Sequence, residues 1–206
     1  DAVAKALLNE SLLPGRGGGY VPGKTALLAR GADLVKLLSP SQARNLLGLD
    51  EDREWLSTEI TVDRTPDLRA YLKRELDVPE IDGDIFGQRV TDSFLAAQSD
   101  DWFVLFYQYL LSVPALWRRR RPGERPGVLR AKAIVRLGDG NNVRPFGVTG
   151  EPKAYLPSGI AVPVPTVSER VAGHEQAVEF LKRLGLKEVG EEQQLQHILS
   201  SCYADR

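Results

Sequence analysis

Ile134-Val135-Arg136-Leu137-Gly138-Asp139-Gly140-Asn141-Asn142-Val143-Arg144-Pro145-Phe146 is the stretch on which the fold turns. An apolar run, a Gly-Asp-Gly-Asn break and a second run from Val143 predict an antiparallel hairpin, because such breaks suit the positive φ angles that tight hairpin turns need. Ala154 to Leu156 adds a further short strand. Prolines at 152, 157, 163 and 165 then hold the chain in extended, edge-type geometry until Val171, since proline cannot donate to a ladder.

Working outward, the same pattern returns near the other end. Leu12 to Pro22 runs through an apolar pair, the Pro/Gly-rich turn Pro14 to Gly19, Tyr20-Val21 and a proline. Each stretch is followed by a helix closing in Leu-Gly-Leu, at Leu47 to Leu49 and at Leu184 to Leu186. The echo suggests a duplicated hairpin-plus-helices unit. The expected fold class is α+β, predominantly helical with short antiparallel hairpins. Two lobes are expected: residues 1–121, helix-rich with an N-terminal turn or hairpin, and residues 122–206, a hairpin with C-terminal helices.

Helices are predicted over Ala2 to Leu8, over Thr25 to Leu38 with a break at Gly31, and from Ser39-Pro40 to Gly48. Another opens at Thr65-Pro66-Asp67, carries Leu68, Tyr71, Leu72 and Leu76 on one stripe, and stops before Pro79. Ser99, Asp100 and Asp101 cap the most apolar helix, rich in aromatics from Trp102 to Trp117 and kinked or ended at Pro114. Val178, Leu181 and Leu184 share a face before Gly185, and Leu195, Ile198, Leu199 and Cys202 share another.

The 206 residues are 42% hydrophobic and 27% charged, which suits an ordinary folded core rather than disorder. One cysteine excludes an internal disulfide framework and a multi-cysteine zinc site, and points to a reducing compartment or at least to no redox constraint, with cytoplasm the default. No apolar run reaches the roughly 20 residues that span a bilayer, so no membrane partner is expected. With no methionine, Asp1 reads as an internal position of a longer polypeptide. The net charge of −1 conceals a belt: Arg118 to Arg144 holds nine cations against Glu124 and Asp139, leaving this stretch at +7 and the remainder at −8.

Gly18-Gly19-Tyr20-Val21-Pro22-Gly23-Lys24-Thr25 matches G-x-x-x-x-G-K-[ST], in which main-chain N–H groups wrap phosphates, lysine reaches the β/γ-phosphates and threonine holds Mg²⁺. Such a nucleotide site would use Gly18, Gly23, Lys24 and Thr25. Against it, Pro14 to Gly17 interrupts the approach, Pro22 lacks a donor, and the alternating strands and helices of that fold are not evident. A glycine-rich turn explains the string without a ligand, and no cofactor is expected.

Arg118, Arg119, Arg120, Arg121, Arg125 and Arg130 are the candidate contacts for an acidic partner or for nucleic acid, with Trp117 beside them as a base-stacking surface. The alternative is a solvated helix end whose cations complement the helix dipole. His174-Glu175 lacks the second histidine of a zinc helix, because Val178 stands there, and His197 has no ligand cluster, so no metal is expected. Ser200, Ser201 and Cys202 near His197 lack an oriented base and oxyanion donors. Asp82-Gly83-Asp84 lacks the spaced carboxylates of a calcium loop.

Leu12-Leu13-Pro14 through Tyr20-Val21-Pro22, Trp55-Leu56 with Asp63 to Leu68, Ile134 to Leu137 through Val143 to Phe146, and Phe180-Leu181 through Leu186 resemble the segment that follows the ATPase domain in bacterial sacsin-like and plant NO VEIN-like proteins. The likeness spans most of the chain and contains no catalytic letters. It implies an Hsp90-like, ATP-binding domain elsewhere in a larger polypeptide and a non-enzymatic, chaperone-type interaction or scaffold module here. The implied partner is that ATPase domain or a client protein. The resemblance carries over no functional residue, and it implies a hairpin turn and helix start at Gly18 to Thr25.

Overall fold

A computed structural model describes residues 2–119, 126–158 and 164–190. The chain divides into two compact units, residues 1–89 and 90–206. The fold is α+β with short hairpins, as the hairpin stretch predicts.

In the first unit α1 (Ala2–Asn9) leads into the hairpin β1 (Leu13–Pro14) and β2 (Tyr20–Val21), with Leu13 opposite Val21. A 3-10 turn at Gly23–Thr25 then delivers β3 (Ala26–Ala29). There follow α2 (Ala32–Leu37), α3 (Pro40–Leu47), β4 (Glu54–Trp55), α4 (Pro66–Arg74), β5 (Glu80–Ile81) and α5 (Gly83–Arg89). Strand β3 lies between β4 and β5, parallel to both.

Two expectations are corrected here. Ala26 to Ala29 is a strand rather than the start of a helix at Thr25, although alanine and leucine favour helix. A parallel strand covered on both faces shows a continuous apolar run with no alternation to identify it. Ala26, Leu27 and Leu28 are all buried; Ala26 and Leu28 join Leu13, Leu56, Leu72 and Val78 in one cluster, and Leu27 points to the other face. The β3-helix-β4-α4-β5 order also means that alternating strands and helices are present after all.

Helix α3 obeys its local signals. Ser39 Oγ accepts from Gln42 N–H at 3.2 Å and Gln42 Oε1 accepts from Ser39 N–H at 2.8 Å, a reciprocal cap with Pro40 at the first turn.

The second unit contains α6 (Asp92–Ala96), α7 (Asp100–Ser112), a hairpin of β6 (Val135–Arg136) and β7 (Asn142–Val143), α8 (Glu169–Ala172) and α9 (Glu175–Leu184). Helix α7, assigned above to the lobe 1–121, belongs to this unit because its aromatic face packs on α9. Tyr107 stacks on Phe180 with ring centroids 4.9 Å apart, and Trp117 meets the same ring edge-on at 5.2 Å. Each such pair adds about 0.5–1.5 kcal/mol beyond burial. The apolar stripe at Leu195 to Cys202 lies outside the described residues.

The echo is a structural repeat. Gly15 N–H donates to Gly19 O at 2.8 Å in the first hairpin, and Leu137 N–H donates to Asn141 O at 2.9 Å in the second. Each loop turns through a glycine at positive φ, Gly18 at 82° and Gly140 at 84°, the geometry of a three-residue hairpin loop. Beyond the turn, Gly15 bridges Leu56 and Leu137 bridges Val167, both antiparallel. Leu27 pairs with Trp55 and Leu28 with Glu80; Tyr155 pairs with Thr166 and Leu156 with Glu188, all parallel. Between the two parallel rungs the chain passes through α4 in one unit and through the short α8 and then α9 in the other. The true counterpart of α9 is therefore α4, not the helix closing at Leu47 to Leu49; α2 and α3 lie between the two partners of the first parallel rung, Leu27 and Trp55.

Even the helix stops correspond. After α4 the chain reverses through Asp77 at φ 51°, and after α9 through Gly185 at φ 113°, so an L-residue occupies in one copy the left-handed position that glycine fills in the other.

Candidate functional site

Lys24 and Thr25 lie in the 3-10 turn before β3, at the amino end of a parallel strand. A phosphate loop leaves the carboxyl end of such a strand and opens a helix, and ligands of open α/β sheets gather at carboxyl ends. Thr25 Oγ1 donates to Pro22 O at 3.2 Å. Gly23 is buried against α1, where an added Cβ would stand 3.0 Å from Leu7 O. Gly18 is the turn glycine of the first hairpin, so the four residues of the nucleotide string serve different local tasks.

Lys24 and Thr25 do line a cavity of about 270 Å³, shared with Asp50, Glu51, Asp52 and Arg53. Arg44 pairs with Asp52 at 3.2 Å. Asp50, Glu51 and Asp52 are thus balanced by Lys24, Arg53 and Arg44, which leaves no excess of cations for a phosphate chain.

The arginine belt splits on folding. Arg120, Arg121 and Arg125 lie outside the described residues. Arg119 is exposed, and Arg118 is half-buried with Gly127 N–H donating to its carbonyl at 3.0 Å. Arg130 turns inward: its guanidinium donates to Trp117 O at 3.3 Å and Leu184 O at 3.2 Å and lies 4.7 Å above the Phe146 ring. Burial, and then the Arg119 charge, pull its pKa below the ordinary arginine value. Trp117 is buried and donates to Leu110 O at 2.6 Å, so its ring face belongs to the core.

Arg136 is also structural. Its Nε donates to Asp100 Oδ1 at 2.7 Å, and Asp100 Oδ2 accepts from Ser168 Oγ at 2.6 Å. Burial alone would raise the Asp100 pKa; the bonds from Ser168 and Arg136 outweigh it and hold the carboxyl below its usual value.

Sequence reasoning missed two charged groupings. In the first unit Glu80 receives both Arg69 and Lys73, and buried Arg69 also donates to Ile60 O at 2.6 Å and Ala29 O at 3.1 Å. In the second unit Arg183, on the polar side of α9, joins Arg119 and Arg130 around a cavity of about 560 Å³. Helical spacing shows that Arg183 lies off the apolar stripe; nothing local ties it to residues more than fifty positions earlier.

His174 is exposed at the start of α9, and Asp82 Oδ1 accepts from Ile85 N–H at 2.8 Å, capping α5. His197, Ser200, Ser201 and Cys202 lie outside the described residues. Among the described residues no group of three His, Cys, Asp or Glu side chains is placed to hold a metal ion, and no helix is long and apolar enough to cross a membrane.

No family model, curated protein or solved structure matches the chain.

Proposed function

We propose that this chain is a non-enzymatic interaction and scaffold module of a larger, sacsin-like, ATP-binding protein of chaperone type, working in the cytoplasm. Its partner is the ATPase domain of the same polypeptide or a client of that domain. The observation that carries the reading is the repeat itself: two hydrogen-bonded frameworks of the same register, 13–81 and 135–189, arise from the tandem motifs on which the sacsin-like resemblance rests.

The polar groups deepest in each framework hold it together. Arg69 ties α4 to two main-chain carbonyls and Glu80, and Tyr107 ties α7 to β6 through Ile134 O at 2.8 Å and Arg136 N–H at 3.1 Å. Groups so engaged support a scaffold better than proton transfer, which requires a titratable side chain facing substrate.

The test is a binding measurement between the 206-residue chain and the ATPase domain encoded in the same reading frame. Saturable binding is expected. A reading frame without such a domain, or an isolated chain that hydrolyses ATP at an enzymatic rate, contradicts the proposal.

A further inference from the structure

The two units treat clustered cations differently. In the first, a groove of about 300 Å³ lined by Arg30, Arg69, Lys73 and Arg74 contains its own anion, because Glu80 sits between Arg69 and Lys73. In the second, the cavity of about 560 Å³ presents Arg119, Arg130 and Arg183, with no carboxylate lining it among the described residues.

We propose that this second cavity is a binding pocket for a phosphate group, held by the guanidinium groups of Arg119, Arg130 and Arg183 beside Phe146 and the turn from Gly147 to Gly150. The inference goes beyond the module reading and does not depend on it.

Arg130 is the anchor. It is half-buried and fixed by two neutral carbonyls and an aromatic face, and among the described residues no carboxylate contacts it. A partly desolvated charge without a counter-ion is costly, and the Arg119 charge adds to the cost. Arg119 is exposed and has no carboxylate partner among the described residues. Arg183 pairs with Glu179 at 2.6 Å on the outer face of α9, a solvent-exposed pair that a ligand can exchange. Among the described residues a second carboxylate nearby, Glu151, lies against Gly147 and accepts from the Thr149 hydroxyl.

Three guanidinium forks from three separate segments offer more donors than the two oxygens of a planar carboxylate accept. A phosphate group, with three or four oxygens and up to two charges, matches them better. The volume falls within the roughly 300–1,000 Å³ of ordinary ligand pockets, so it accommodates more than the phosphate itself. The phosphate can belong to a small phosphorylated metabolite or to a nucleic-acid backbone.

Calorimetric titration of the full chain with pyrophosphate at low salt is the test, with acetate at equal concentration as the planar control. Pyrophosphate is expected to bind and acetate to give no heat. Arg119→Gln and Arg183→Gln, both changes at exposed side chains, are each expected to weaken binding by about tenfold or more, as the loss of one charge-assisted contact does. Circular dichroism of the variants should match that of the parent chain. Absence of pyrophosphate binding at millimolar concentration, or equal binding by both variants, overturns the proposal. Competition identifies the source: displacement by a single-stranded oligonucleotide assigns the group to a nucleic-acid backbone, and displacement only by a nucleoside monophosphate assigns it to a small molecule.

Discussion

Replacing Tyr107 with phenylalanine removes one oxygen from the centre of the second unit and leaves the ring that stacks on Phe180 in place. That oxygen is fully buried, donates to Ile134 O and accepts from Arg136 N–H, joining α7 to the start of the hairpin. Each buried main-chain group left without its partner costs about 1–3 kcal/mol, so Tyr107→Phe, which strands two, is expected to destabilise the unit by about 2–6 kcal/mol. For a unit of this size that is a fall in Tm of about 8–24 °C. Denaturation followed by tryptophan fluorescence reads it, since Trp102 and Trp117 both belong to this unit. Burial also raises the Tyr107 pKa above its ordinary value. A raised folded pKa gives stability that is complete below the unfolded value of about 10 and is lost as pH rises through the folded value. The parent chain should therefore weaken in strong alkali more steeply than the variant does. A Tyr107→Phe protein within about 0.5 kcal/mol of the parent, with the same alkaline slope, would refute this account of the hydroxyl.

Glu80→Gln leaves buried Arg69 without its carboxylate and should cost the first unit about 3 kcal/mol, measured by urea denaturation. Burial raises the Glu80 pKa, but the bonds and charges of Lys73 and Arg69 prevail and lower it, so its stabilisation is present above the unfolded value of about 4.3 and is lost as pH falls through the folded one; the Gln variant should lack this acid limb. Gly185→Ala should cost about 1–2 kcal/mol, because φ 113° disfavours a side chain and the new Cβ would stand 3.1 Å from Phe146 Cζ. Asp77→Gly, at the matching stop, should leave stability unchanged or raise it by up to about 0.5 kcal/mol in the same thermal assay, and a loss like that of Gly185→Ala would break the correspondence. Titration with Mg²⁺-ATP should give the same result for the parent chain and Lys24→Ala, and a heat that depends on Lys24 would reinstate the phosphate-loop reading.

Local chemistry announced the hairpins and most of the capped helices. The Gly138 to Asn141 break, the Ser39-Pro40 start and the Ser99 cap each act over three or four residues, and each forms where its signal lies. What escaped was decided at a distance. Ala26 to Ala29 reads as helix in isolation and becomes a strand because Trp55 and Ile81, far along the chain, lie beside it. Helices α5 and α6 are five to seven residues long, too short for a periodic stripe to stand out. The repeat was visible in its hairpins but was matched to the wrong helix, because Leu-Gly-Leu is a recurring helix ending and strand register has no local letter code. The belt was legible as charge, not as orientation: Arg119 faces solvent, whereas Arg130 and Arg136 turn to main-chain oxygens and Asp100. Arg183 enters the pocket only once α9 has packed.

If the repeated framework serves a separate ATPase domain, as proposed, ATP turnover by the parent polypeptide with and without residues 1–206, measured alongside partner binding, reads that service directly. Removal is expected to alter the turnover rate or abolish partner binding while the ATPase domain still binds nucleotide. Turnover and partner binding both unchanged by the deletion would contradict it.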